Sequence, residues 1–170
     1  MKRQIAALLA LTGAAVALCA VVATKAGAEH FDILLKVNSG DKQEQSSMDT
    51  TPPIGGVNPR PVLKAHAGDP IKVTWRMKNS SPHGAMKNVT IHFFVVREGK
   101  TGQKPVPDPA GQAGIVDNSF TTDLAFGAVS TGSLKLKISD PGSYLVRVQS
   151  EGTHEEAGHE HFSAIDIEVQ

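Results

Sequence analysis

The chain has 170 residues, with 17 basic and 17 acidic side chains, a formal net charge of zero and a single cysteine. That length suits one domain behind a leader, and one cysteine excludes an intramolecular disulfide framework. No basic run and no basic–aromatic interleaving is present, which argues against nucleic acid as a partner.

Lys2 and Arg3 precede an apolar stretch, Ile5 to Ala23, broken by Thr12, Gly13 and Cys19. Ala26-Gly27-Ala28 then supplies the small-x-small pattern of a signal-peptidase site. Residues 1–28 are therefore expected to be a signal peptide, and the mature chain, 29–170, to be periplasmic or extracellular. Cys19 makes no lipobox, because Leu18 stands where a small residue is needed. A second reading is an uncleaved anchor helix, since the stretch approaches the ~20 residues that span a bilayer. In that case alone is a membrane expected as a partner. The leader holds three of the basic residues and none of the acidic ones, so the mature chain carries 14 against 17, net −3. It has no cysteine, so one hydrophobic core must stabilise it.

Along the mature chain the apolar period is two nearly everywhere, which is the period of strands. Phe31, Ile33, Leu35 and Val37 alternate with polar residues and open the first strand. Residues 38–61, rich in Gly and Pro, read as a long loop. A short strand over 62–66 leads to the turn Ala67-Gly68-Asp69-Pro70. Ile71, Val73, Trp75 and Met77 then line one face of a half-buried strand. Residues 89–97 are apolar on both faces, Ile91, Phe93 and Val95 against Phe94 and Val96, as a central strand would be. A second long loop covers 98–115. Weaker strand patterns follow over 116–124 and 133–139. After Asp140-Pro141-Gly142 come strands over 144–150 and 162–169.

Seven to eight short strands with turn signals between them predict an all-β fold, a single antiparallel immunoglobulin-like β-sandwich. Tyr144 just after a turn matches the tyrosine corner of such domains, whose hydroxyl bonds back to nearby backbone. Together with Ala67-Gly68-Asp69-Pro70, it resembles bacterial immunoglobulin-like and fibronectin-III-like modules. Three stretches, 61–65, 94–99 and 159–166, resemble uncharacterised secreted proteins of planctomycete-type bacteria. That likeness implies no function.

In a sandwich of this kind, alternate loops and the start of the first strand gather at one end. His30, the loop residues His83 and Met86, and His154, His159 and His161 before the last strand all fall there. His92 is a few residues down a strand, and His66 belongs to the opposite end. Neutral imidazole suits zinc and copper, and thioether sulfur suits Cu(I). His30, His83, Met86, His154, His159 and His161 are therefore the candidate metal ligands, with Cu or Zn as the ion. The blander reading is a solvated hairpin tip. A histidine near the mature start and a His-x-His near the end resemble the periplasmic CopC-like copper carriers, which implies a small copper or zinc carrier. Placing His30 second rather than first departs from that pattern.

No nucleophile elbow or phosphate cradle is present, and the chain is read as a non-enzyme. Two functions are expected from the sequence. One is a secreted or periplasmic binding or accessory module of the cell envelope with an unknown protein partner. Its contact surface would be the Phe94/Val96 face or the long loops, unless another layer covers that face. The other is the metal carrier.

Overall fold

The computed structural model describes residues 30–47, 60–102, 114–151 and 161–170. Nine strands are formed: β1 (Phe31–Ser39), β2 (Lys42–Ser47), β3 (Val62–Ala65), β4 (Pro70–Asn79), β5 (Met86–Glu98), β6 (Gly114–Leu124), β7 (Val129–Lys137), β8 (Gly142–Glu151) and β9 (Phe162–Val169). They make two sheets, ordered β2-β1-β4-β7 and β3-β9-β8-β5-β6. The fold is the expected all-β sandwich. All pairings are antiparallel except β3 with β9, which is parallel. Both sheets are built from strands within residues 31–169, and the expected boundary after residue 28 lies outside the described residues. Among the described residues, no helix is long and apolar enough to cross a membrane.

The period-two pattern becomes the core directly. Phe31, Ile33, Leu35 and Val37 of β1 join Ile71, Val73, Trp75 and Met77 of β4 against Val89, Ile91, Phe93 and Val95 of β5, Val146 and Val148 of β8, and Ile165 and Ile167 of β9. Each side chain buried there contributes about 1.5–3 kcal/mol. The tyrosine corner forms as expected: the Tyr144 hydroxyl donates to the Asp140 carbonyl oxygen at 2.8 Å. The turn before β4 closes through Gly68 at φ +81° and a bond from the His66 N–H to Asp69 Oδ2 at 3.1 Å.

Beside the parallel β3–β9 pair, where the sequence predicts an antiparallel sandwich, and a β7 that begins four residues before the expected strand over 133–139, two features differ from the sequence reading. Lys42–Ser47, taken as part of a loop, forms edge strand β2 after a turn at Asp41. Lys-Gln-Glu-Gln-Ser-Ser lacks apolar alternation because the strand caps an edge rather than lining the core. The Phe94/Val96 face of β5 is not an open contact surface. Phe94 and Val96 are each 1% exposed and form a second apolar cluster with Leu145, Ala164 and Phe162 on the outer side of that sheet. The Arg147 guanidinium lies 4.3 Å from the centre of the Phe162 ring and borders that cluster.

Trp75 reaches across β7 over Gly132, its register partner, and stacks on Phe120 with ring centres 5.9 Å apart. A Cβ on Gly132 would lie 2.3 Å from the indole. Gly132→Ala should therefore force Trp75 out of its seat and destabilise the domain by about 1–3 kcal/mol. Urea unfolding checks this, with the neighbouring Ser133→Ala expected to stay near wild type.

Candidate metal centre

The end of the sandwich at which β4 finishes and β1 begins is organised by Asn79, which is fully buried. Its Nδ2 donates to the carbonyls of Gly84 and Leu124, both at 2.8 Å, and its Oδ1 accepts the Ser81 N–H at 2.8 Å. Ser81, also fully buried, accepts the His83 N–H through its Oγ at 3.2 Å and the Gly84 N–H through its carbonyl at 3.1 Å. The β4–β5 loop is thus held from beneath, and Gly84 takes the left-handed turn at φ +94° that closes it. That loop carries His83.

His30 precedes β1 and is 5% exposed; its carbonyl accepts the Ser80 N–H at 2.8 Å, tying it to the same loop. His161 precedes β9, and its carbonyl accepts the Ser150 N–H at 2.9 Å. The rings of His30 and His161 are nearly perpendicular, with centres 5.5 Å apart, and the His83 ring centre is 6.1 Å from that of His30. Nε2 of His161 is 3.4 Å from Nδ1 of His30. Two imidazole nitrogens bound tetrahedrally to zinc at 2.0–2.1 Å are separated by about 3.3–3.4 Å. The pair, joined as it stands by a ring-to-ring hydrogen bond, thus has the separation of two ligands on one ion, and binding would require the rings to turn both lone pairs toward it.

Of the sequence candidates, the fold brings together His30, His83 and His161. Met86 does not join them: it packs against the apolar core, opposite Leu124 in the register. His154 and His159 lie outside the described residues. Among the described residues, no group of three or more His, Cys, Asp or Glu is already placed to hold an ion together. His66 is at the opposite end, beside the β3–β4 turn, as the topology requires. Asn79, within the glycosylation-like triplet Asn79-Ser80-Ser81, has its amide committed to two carbonyls and is closed to that chemistry in the folded protein.

Two ionisable clusters on the other sheet were not legible in the sequence. His92 touches Glu151 Oε1 through Nδ1 at 2.7 Å and Asp117 Oδ1 through Nε2 at 2.6 Å. An imidazole can donate from both nitrogens only when protonated. Burial pulls its pKa down, but the hydrogen bonds and charges of Asp117 and Glu151 outweigh this and raise it. The Phe94 ring lies 3.7 Å from the imidazole, centre to centre, and covers it. In the second cluster, Arg60 Nε donates to Asp166 Oδ1 at 2.5 Å and Arg60 Nη2 to Glu98 Oε2 at 2.9 Å. Asp166 also accepts the Gly102 N–H. One guanidinium faces two buried carboxylates. Burial, then the charge of Asp166, pushes Glu98 up to about 7 against the opposing pull of Arg60.

No family model matches the chain, and no curated protein matches it. Several solved structures are similar. A CARDB domain from Pyrococcus furiosus, in complex with di-metal ions, aligns with TM-score 0.44 and 10% identity over 84% of this chain and 90% of that one. The PmoD soluble domain from a Methylocystis species aligns with TM-score 0.42 and 11% identity over 82% and 92%. The C-terminal domain of wzt gives TM-score 0.41 and 9% identity over 80% and 70%. These loose likenesses add nothing to the fold described above and say nothing about ligands. The planctomycete-type and CopC-like resemblances have no counterpart among the family models.

Both raised pKa values have the same sign in stability. For Glu98 the favourable neutral form is fully present below its ordinary value of 4.5, and its contribution is lost as pH rises through about 7. For His92 the imidazolium contribution is full below 6.5 and is lost as pH rises through the higher folded value. Urea unfolding free energy should thus carry a downward component that starts at pH 4.5 and continues above 6.5. Glu98→Gln should flatten the part between 4.5 and about 7, and His92→Gln the part above 6.5.

Proposed function

We propose that this protein is an exported, non-catalytic binding module of the cell envelope whose histidine-bearing end takes up one copper or zinc ion. The observation that carries the reading is the 3.4 Å separation of His161 Nε2 and His30 Nδ1. Imidazole nitrogens at ligand spacing, on a loop framework that Asn79 holds in place, form a half-built chelate. Completing it takes a rotation of His83 toward the pair, or donors from His154 and His159, which precede β9 in sequence. Neutral imidazole is the borderline-soft donor that suits Zn(II) and Cu(II). The second cluster, around His92, is a poorer candidate, because it offers a single imidazole, clamped between two carboxylates.

An envelope carrier and an accessory module with a structural ion differ in how readily the ion leaves. In the first case a competing chelator strips it within minutes from the folded domain. In the second the ion comes away only as the domain unfolds.

The test is calorimetric titration of residues 29–170 with Zn(II), Cu(II) and Cu(I). Sub-micromolar binding of at least one ion is expected, with a matching rise in Tm, since an ion bound only to the native state stabilises it. His30→Gln and His161→Gln should each weaken binding at least about tenfold, as loss of one ligand-supporting group typically does. Their apo Tm values report whether the fold survives. Affinity should also fall below about pH 6.5, where imidazole protonates. Weak binding that survives both substitutions would overturn the reading.

A further inference from the structure

The register of the β2-β1-β4-β7 sheet sorts its charges onto one side. Residues facing the core are those of odd number in β1 and β4 and of even number in β7. The outward set is Asp32, Leu34, Lys36 and Asn38 from β1, Lys72, Thr74, Arg76 and Lys78 from β4, and Val129, Thr131, Ser133, Lys135 and Lys137 from β7. Six cations therefore share one sheet face with one carboxylate. Asp32 Oδ2 is 3.3 Å from Arg76 Nη2, and among the described residues the lysines of this face form no ion pair. Lys72 stands directly opposite Lys135 in the register, and Lys137 is two residues further along β7. Lys72, Arg76, Lys135 and Lys137 are all exposed. Like charges directly opposite one another destabilise a sheet. Folding gains nothing from this arrangement, whereas an anionic partner would turn it into attraction.

The shape of the patch narrows the partner. It is an open sheet face, spanning about 10 Å from β1 to β7 and about 20 Å along β4, so its charges lie within roughly one Debye length of their neighbours and act together. Its rim is apolar. Val129, which faces outward opposite Lys78, is 47% exposed, and Phe126 is 68% exposed. Asn79 fixes the loop that carries Phe126: its N–H donates to the Ala128 carbonyl at 3.0 Å, and its carbonyl accepts the Gly127 N–H at 2.9 Å. A cationic sheet face edged by an exposed aromatic ring suits an interface with headgroups on one side and acyl chains beyond. Stacking platforms for bases are missing from the face, which disfavours single-stranded nucleic acid.

We propose that the outer face of the β1-β4-β7 sheet docks on an anionic phospholipid surface, with the lysines against phosphate headgroups and Phe126 and Val129 dipping into the interface. This surface is separate from the histidine centre and does not depend on the metal reading.

Residues 29–170 should co-sediment with vesicles of equimolar phosphatidylglycerol and phosphatidylcholine, should not do so with pure phosphatidylcholine, and should be released by raised NaCl. Each cation near such a surface is worth about fivefold in affinity, so Lys72→Gln/Lys135→Gln/Lys137→Gln together should weaken binding on the order of a hundredfold. Because these side chains are exposed and mutually repulsive, the triple variant should keep or raise its Tm. Phe126→Ser should weaken vesicle binding severalfold yet leave binding to soluble inorganic polyphosphate unchanged. No binding to the anionic vesicles at low salt would overturn the proposal. So would equal binding to neutral vesicles, or a folded triple variant that binds like wild type. Polyphosphate binding as tight as vesicle binding, with Phe126→Ser silent in both, would replace the membrane with a soluble polyanion.

Discussion

The fully buried Asn79 side chain makes three hydrogen bonds, and its backbone makes two more to the 125–128 loop. A buried amide in that position must be satisfied completely or it costs the fold several kcal/mol. Satisfying it requires the β4–β5 loop, the end of β6 and the β6–β7 connection to be where they are. His83 rides on the first of these and Phe126 on the last. His30 is bonded to Ser80, the residue after Asn79. The same buried group therefore sets both the spacing of the histidine end and the apolar rim of the cationic face.

The two sheets divide their polar chemistry unequally. The outer face of the β3-β9-β8-β5-β6 sheet buries part of its charge: Asp166 is fully inaccessible, and Arg60 bonds both Asp166 and Glu98. Burial and the neighbouring Asp166 charge push Glu98 up to about 7, which favours its neutral form, because desolvating an unpaired carboxylate is costly. The opposite sheet leaves its lysines in water, where repulsion is weakened but not removed. A net charge of zero over the whole sequence hides this separation, since summing charges discards which face each belongs to.

Period-two patterning carried most of the strand assignment, because a strand that buries one face must place apolar residues at every second position. It failed at Lys42–Ser47, where an edge strand needs hydrogen bonds but little burial, so nothing marks it in the side chains. Phe94 and Val96 were legible as a second apolar face, but not what lay over it. The histidine reading was partly legible for a different reason. Loop order in an antiparallel sandwich dictates which segments share an end, so His30, His83 and His161 could be grouped without coordinates. Met86 belonged to the same linear neighbourhood but packs on the core, because the irregularity between Met86 and Val89, with Asn88 at φ 54°, breaks the alternation of β5 and turns it inward.

From the sequence alone came the all-β class, the core residues, the tyrosine corner and the end at which the histidines gather. Each follows from local rules: alternation, turn chemistry and chain reversal. Distances, partners and faces came from the tertiary structure. The 3.4 Å approach of His30 and His161, the clamping of His92 between Asp117 and Glu151, and the pairing of Lys72 with Lys135 join residues 131, 25, 59 and 63 positions apart in the chain. Such contacts depend on strand register, and register is set by how two whole sheets pack, which no local stretch of sequence encodes.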